Sequence, residues 1–456
     1  MDSMVGNLRR IMNNEDQVSS DFETLLNHGK DQSSYHPTRL PNVVVYPENI
    51  RNIQEIVKFA SEHEVPIVPF GLGSSVEGQV IPVRGGISLN MTRMNKIIEI
   101  CPDDYVVRVQ SGVTRNQLNR ELRKHNLFFP VDPAIDATLG GMAATNASGT
   151  NAVRYGTMRS QVLGLEVVQA NGEVIRTGGK YLKTSAGYNL TGLFIGSEGT
   201  LGIITELILR VYLLPEETVT ITAGFQSVEA ASKAVGKLIK CGLSLGCVEI
   251  LDENTVYAIN CYKNINLPVT AQLVMNLTGK KYTVKNDLVK AKEILLSEGC
   301  NNLNHAFRKN EREQLWMARH EAAFAILSLE PQKRLMATDV CVPLTVMPQA
   351  IENARMIMNE HQIKGAVLGH VGDGNFHAVF TVDPSDSFDV KRAQTVYSAI
   401  VDFALQNGGT CTGEHGIGLG KIEYLQEQHD DLIATMRKIK DLFDPQHIMN
   451  PGKIFV

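Results

Sequence analysis

Two domains of α+β character are what this sequence predicts, and three features predict them. At 456 residues the chain exceeds one ordinary core. Its first half opens as strand, helix, strand and then runs through stretches of small residues. Its second half alternates β-rich strands with amphipathic helices, the pattern of a mainly antiparallel sheet with helices on one face.

Composition narrows the function classes. Hydrophobic residues make up 43% and charged residues 20%, as in ordinary globular proteins. The net charge of −5 is spread along the chain, with no basic patch interleaved with aromatics, so nucleic acid is not an expected partner. No run of 18 apolar residues occurs, so no membrane-spanning helix is expected and any membrane contact would be peripheral. The opening "MDSMVGNLRRIMNNEDQVSSDFE" lacks an apolar core and carries acids early, unlike a secretory or transit sequence. The expected address is cytoplasmic, or mitochondrial if a presequence has been removed. Seven widely spaced cysteines without a C-x-x-C pair suit free thiols in a reducing compartment. Cys411 reads as a small buried hydrophobe.

Residues 1–37 read as a polar helical appendage. Val43 to Val45 reads as a strand. Glu48 to His63 reads as a helix, with Ile50, Ile53, Ile56, Val57 and Ala60 on one face. Ile67 to Pro69 is a second strand, followed by the glycine loop Gly71-Leu72-Gly73-Ser74-Ser75. A Rossmann fingerprint would need a third glycine where Val76 stands, and a helix after it. The loop still suits a phosphate, because glycine lets backbone N–H groups approach and serine adds hydroxyls. Residues 132–204 hold two more small-residue runs, "DPAIDATLGGMAATNASGTNAVRYGTM" and "SAGYNLTGLFIGSEGTLGIITEL". They suit a chain lying flat against a large planar ligand. Between them "VLGLEVVQANGEVIRT" is a hairpin turning at Asn171-Gly172. Residues 211–222 hold the expected boundary. Beyond it, 306–330 reads as a helix and 424–443 as another.

The chemistry gathers in the second half. In "LGHVGDGNFHAVF", Asp373-Gly374 is the dipeptide of a two-residue hairpin turn. A turn centred there sets His370 opposite His377, with Cβ atoms roughly 4.5–5.5 Å apart, near enough to share a metal ion. An exposed hairpin carrying two polar residues is the alternative. In "GGTCTGEHGIGLGK", Glu414 is a ready third ligand, and two histidines with one carboxylate leave coordination positions open. His415 beside it is a candidate general base. Arg319 is a candidate anchor for a substrate carboxylate, and Lys421 a weaker one.

Taken together, "PFGLGSS", "DPAIDATLGGMAATNASGTNAVRYGTM", "KTSAGYNLTGLFIGSEGTLGIITE", "GHVGDGNFH", "TGEHGIGLGK" and "DPQHIMNPGKIF" resemble the FAD-linked oxidase family. That family includes D-lactate dehydrogenases of the cytochrome type, glycolate oxidase FAD subunits and D-2-hydroxyglutarate dehydrogenases. The resemblance implies a vanillyl-alcohol-oxidase (PCMH) type FAD-binding domain over 38–216. An α+β substrate and metal domain follows over 217–456, with the last ~15 residues returning to the flavin. It implies cofactor contacts at Pro69, Gly71, Leu72, Gly73, Ser74, Ser75 and Gly78. Further contacts are implied at Pro133, Thr138, Gly140, Gly141, Asn146, Ser148, Gly149 and Tyr155, and at Glu198, Gly199, Gly202, Ile204, Asn450 and Lys453. His370, His377 and Glu414 match the family's divalent-metal ligands, for zinc or manganese. His415 matches its base and Arg319 its carboxylate-binding arginine. Lys421 and Asn375 are grouped with Arg319 as substrate-binding. Residues 64–124 hold no histidine, so the FAD is expected to be non-covalent.

The implied reaction is oxidation of a small (R)-2-hydroxy acid, with C2 hydride passing to flavin N5. Relatives acting on 2-hydroxyglutarate carry a lysine where this chain has Ala337, and a polar residue where it has Ala323. D-lactate is therefore the expected substrate, ahead of glycolate and D-2-hydroxyglutarate, with Lys333 and Arg334 nearby as possible cations for a longer acid. The electron acceptor is left open among a cytochrome, a quinone and a partner redox protein. Two readings from other classes are a mononuclear non-haem iron enzyme, which the His/His/carboxylate set also fits, and a flavin-binding scaffold without catalysis.

Overall fold

The computed structural model describes residues 4–12, 14–33 and 35–455. The chain forms two compact units. The first comprises 1–149, 156–214 and 414–456, and the second 150–155 and 215–413. The boundary between them falls at 214/215, inside the 211–222 stretch. The C-terminal segment 414–456 belongs to the first unit.

The first unit holds two main sheets. One has four strands, in the order Val18–Ser19, Val43–Val45, Ile87–Asn90, Ile67–Phe70. The last three are parallel, and Val18–Ser19 joins the edge antiparallel. Helix Ile50–Glu62 follows Val43–Val45. Asn49 caps it by accepting the Asn52 N–H at 3.0 Å. Its Ile53, Ile56, Val57 and Ala60 are fully buried, each burial worth roughly 1.5–3 kcal/mol for the larger side chains. Helix Met4–Met12 adds Leu8 and Met12 to this same core. The N-terminal segment is thus a structural part of the first unit, not an appendage. Its polar composition hid the apolar residues it adds to this core, Leu8, Met12 and Val18.

The other main sheet is antiparallel, in the order Ile97–Cys101, Val106–Gln110, Ile203–Arg210, Val162–Val168, Val174–Gly178. The predicted turn at Asn171-Gly172 closes the last pair, with Val168 opposite Val174. Both small-residue runs contain short helices, Leu139–Thr145 and Ala152–Tyr155 in the first and Leu190–Phe194 in the second. Thr138 caps the start of Leu139–Thr145, and Asn146 ends it in the left-handed region at φ 53°. The C-terminal segment is two helices, Ile422–Gln428 and Asp430–Phe443, where one was expected. Beyond them Asn450 N–H bonds the Ile67 carbonyl at 2.8 Å, tying the tail to the parallel sheet.

The second unit is built on an eight-stranded antiparallel sheet. Seven strands run in the order Asn302–Ala306, Glu217–Phe225, Ala271–Gly279, Leu245–Leu251, Gly365–Gly369, Asn375–Val382, Arg334–Ala337, and Val340–Cys341 also pairs with Asn375–Val382. Helices Glu253–Lys263 and Lys309–Ser328 pack on one face, against Cys247, Leu251, Val274, Ala366, Leu368 and Val379. The alternate residues Val248, Ile250, Leu273, Val367 and Phe380 are equally buried. Helices Val228–Lys240 and Met347–Glu360 cover them. Both faces are covered, so the expectation of helices on one face is corrected.

Candidate functional site

The first unit contains a cavity of about 1380 Å³, counting the space open to solvent at its mouth. Its wall is made where the sequence is richest in glycine and serine. Pro69 and the loop Gly71, Leu72, Gly73, Ser74, Ser75 form one side. A Cβ at Gly71 would lie 2.3 Å from Thr138 Oγ1, so only glycine lets the loop meet the helix cap. Pro133, Thr138, Gly140, Gly141 and Ser148 form another side, and Glu198, Gly199, Gly202, Ile204 and Asn450 a third. Glu414 and His415 also line it.

Two hydroxyls on this wall, Ser75 Oγ and Ser111 Oγ, are buried without a hydrogen-bond partner among the described residues. Buried polar groups are normally paired, so a ligand with acceptors fits here. A glycine cradle with waiting hydroxyls suits the phosphates and the planar ring of FAD.

Five of the predicted cofactor residues do not line the cavity. Gly78 gives its N–H to Asp31 Oδ2 at 2.6 Å. Asn146 accepts from Thr157 and the Arg159 N–H. Gly149 is packed against the Asp132 carbonyl. Tyr155 belongs to the second unit. Lys453 donates to the Ile81 carbonyl at 2.7 Å, and burial pushes its ammonium down to about 8. Asn450 does both jobs, donating to the Glu198 and Gln79 carbonyls at 2.7 and 3.1 Å from the cavity wall.

Lys421 is also corrected. It is fully buried, with Nζ 3.3 Å from Glu77 Oε1 in the first unit, and that pairing removes it as a substrate anchor.

In the second unit the two histidines do meet, though by another register. His377 lies opposite Leu368, not His370. The connection between strands runs from His370 to Gly374 and is longer than a two-residue turn. The imidazole centroids are 5.6 Å apart with perpendicular planes, and both rings are buried. His377 Nδ1 donates to the Thr338 carbonyl at 3.0 Å. His370 Nδ1 bonds Glu249 Oε1 at 2.6 Å. A partner at Nδ1 fixes tautomer and ring direction, and makes Nε2 the ligating nitrogen. This donor chemistry fits a divalent cation. Glu414, the predicted third ligand, follows Gly413 in sequence and belongs to the first unit.

Glu249 was invisible to sequence reasoning as a functional residue. It is fully buried in strand Leu245–Leu251, and its other oxygen accepts from Arg319 Nε at 2.7 Å. Burial pushes its carboxyl up, but His370 and Arg319 more than offset this and hold it below its ordinary value. Arg319 sits on helix Lys309–Ser328, which Trp316 pins to the sheet by donating to Asn276 Oδ1 at 3.0 Å. Asp339 is the second missed acid. It accepts from Asn375 Nδ2 at 2.9 Å, Thr412 Oγ1 at 2.7 Å and the Gly413 N–H at 3.0 Å. Asn375 thus spends its amide N–H on the protein, and its Oδ1 is buried without a partner among the described residues. The only sequence signal for Glu249 is a lone acid inside the apolar run "GCVEIL".

Comparison with known proteins decides what this set of sites belongs to. Residues 214–454 match the family described as FAD linked oxidases, C-terminal domain, and residues 41–178 match the FAD binding domain. The chain belongs to the FAD-linked oxidases. A "probable D-lactate dehydrogenase, mitochondrial" of Danio rerio is 42% identical over 94% of this chain and 86% of its own length. The glycolate oxidase subunit GlcD of Bacillus subtilis is 36% identical over 94% and 93%. This FAD-linked oxidase also shares its fold with p-cresol methylhydroxylase, solved with substrate bound. The TM-score is 0.81 at 19% identity, over 99% of this chain and 96% of that one. The flavin domain is therefore of the PCMH type, and the protein is an FAD-dependent hydroxy-acid dehydrogenase.

Proposed function

We propose that this FAD-linked oxidase converts D-lactate to pyruvate, using non-covalent FAD and a divalent cation, zinc or manganese, held by His370, His377 and Glu414. The observation that carries the reading is the pair of bonds made by Glu249, which hold a ligand histidine and the substrate's arginine from one carboxylate. When bound, FAD supplies the two-electron oxidant that takes the C2 hydride, and the cation draws charge from the 2-hydroxyl.

The protein's own residues do the rest. Arg319 holds the substrate carboxylate, its guanidinium plane fixed by the Nε bond to Glu249. Asn375 Oδ1 faces the substrate as an acceptor. His415 takes the hydroxyl proton at Nε2, the edge of its ring on the Glu414 side. Taking that proton at His415 prepares the substrate for its oxidation to the 2-oxo acid.

A short acid is favoured by what is missing for a longer one. Ala337 and Ala323 offer no cation. Lys333 is paired with Glu330 at 3.5 Å and Asp389 at 3.4 Å. An unpaired distal carboxylate would be costly to bury, so D-2-hydroxyglutarate ranks below D-lactate and glycolate. The D-lactate dehydrogenase (cytochrome), mitochondrial, of Arabidopsis thaliana is 36% identical over 99% of this chain. That likeness supports a cytochrome acceptor and a mitochondrial address. No helix among the described residues is long and apolar enough to cross a membrane.

An anaerobic absorption titration with D-lactate, with and without prior chelation, tests the whole reading. Bleaching of an oxidised flavin only before chelation supports it. Bleaching that chelation leaves intact removes the metal. No bleaching by D-lactate removes the substrate, and bleaching by glycolate instead would promote the second reading.

A further inference from the structure

We propose that Glu77 is the positioning residue of His415, setting the imidazole's tautomer and direction so that Nε2 does the work. The inference rests on the reading of His415 as the base. Glu77 is 1% exposed and lies just past the glycine loop. Its Oε1 stands 3.6 Å from His415 Nδ1 and 3.3 Å from Lys421 Nζ, and its Oε2 stands 4.0 Å from His36 Nε2. Glu77 is thus the hub of a cluster of one acid, one lysine and two imidazoles, all within the first unit, with Glu77 and Lys421 buried and the imidazoles partly exposed. It does not line the flavin cavity, whereas His415 does. A buried ion pair is a poor route to stability, so the cluster calls for another reason to exist.

The backbone holds the two groups to each other. The Glu77 carbonyl accepts the N–H groups of Leu419 at 2.7 Å and Gly420 at 3.2 Å. Gln79 Nε2 donates to the His415 carbonyl at 2.7 Å. Gly418 has φ +51°, and a Cβ there would sit 2.0 Å from the Glu77 carbonyl oxygen, so the loop can close on Glu77 only with glycine at 418. Glu198 clamps the same loop by accepting the N–H groups of Ile417 and Gly418 at 2.7 and 2.8 Å.

A carboxylate facing Nδ1 favours the tautomer that carries the proton on that nitrogen, and so keeps the Nε2 lone pair for the reaction. Nε2 lies on the opposite edge of the ring, 3.6 Å from Glu414 Oε1. Lys421 fixes the Glu77 carboxylate and offsets part of its charge, so Glu77 orients the ring without locking it into an ion pair.

The test compares flavin-loaded E77Q, H415A and E77Q/H415A by anaerobic rapid mixing with D-lactate, following flavin bleaching. E77Q/K421M is included because E77Q alone leaves a buried lysine unpaired. E77Q and E77Q/K421M should keep their FAD and bleach about 10- to 100-fold more slowly at saturating D-lactate. The half-saturating concentration should stay within about twofold, and adding E77Q to H415A should slow it by less than about twofold. Equal slowing in both backgrounds, or loss of FAD from both E77Q and E77Q/K421M, would reduce Glu77 to a purely structural role and overturn the proposal. Wild-type bleaching by H415A would instead remove the base reading on which it rests.

Discussion

Glu249 Oε1 and His370 Nδ1 are 2.6 Å apart, and both groups are buried. The same carboxylate accepts from Arg319, so one side chain aligns the proposed metal ligand and the proposed substrate anchor. Glutamine has nearly the same shape but only one acceptor oxygen, and it cannot serve both donors. E249Q should therefore weaken metal binding about 10- to 100-fold and raise the half-saturating D-lactate concentration, with FAD content unchanged. Metal analysis after dialysis against a graded chelator, beside the flavin absorbance, reads all three. Full metal retention would remove Glu249 from this role.

His415→Ala should keep FAD and metal but lose about 10²- to 10⁴-fold in flavin reduction, the usual span for removing a positioned base. The cavity wall loses one side chain among many, so binding of FAD should change little. Turnover close to wild type would mean the hydroxyl proton leaves by another path.

The two partnerless hydroxyls make a sharper test of the cradle. Ser75 Oγ and Ser111 Oγ carry an unmet hydrogen-bonding cost in the protein alone. S75A and S111A should therefore leave the FAD-free protein as stable as wild type or slightly more so. Each should weaken FAD binding several-fold, to about tenfold for a hydroxyl that meets a phosphate. Fluorescence titration with FAD and a thermal melt of the stripped protein separate the two effects. Unchanged affinity in both variants would take these hydroxyls out of the cofactor site.

Sequence reasoning reached the glycine-lined wall of the cavity because the requirement there is local. Gly71 and Thr138 crowd each other, and the glycine that relieves the crowding is written at its own position. The histidine pair was half legible. Both residues are close in sequence, but Asp373-Gly374 suggested a tighter turn than the one that forms, and the register shifted so that His377 faces Leu368. Glu249 was not legible, because its partners lie 70 and 121 residues away and its strand offers only an apolar context. Lys421 misled for the opposite reason. Its neighbours in sequence look catalytic, while the partner that buries it, Glu77, sits far back beside the glycine loop. Charge pairing across hundreds of residues leaves no periodicity to read.

Glu198 sets a pH dependence whose sign can be worked out. Burial pushes its carboxyl up to about 7, against the pull of the Ile417 and Gly418 N–H groups. The ordinary value, and so that of the unfolded chain, is 4.5. The folded state holds the proton more tightly, so the contribution is full below 4.5 and is lost as the pH rises through 7. A shift of this size corresponds to about 3 kcal/mol at most. E198Q keeps an acceptor for the loop but cannot ionise. Urea unfolding at pH 5, 6, 7 and 8 should then show wild type losing stability against E198Q as the pH rises, with the gap levelling off above 7. The same ionisation puts a negative charge on the cavity wall, so FAD, itself anionic, should bind wild type more weakly at pH 8 than at pH 6 and bind E198Q equally at both. A wild-type minus E198Q difference that stays constant with pH would mean that Glu198 is ionised throughout, stabilised by the loop it clamps.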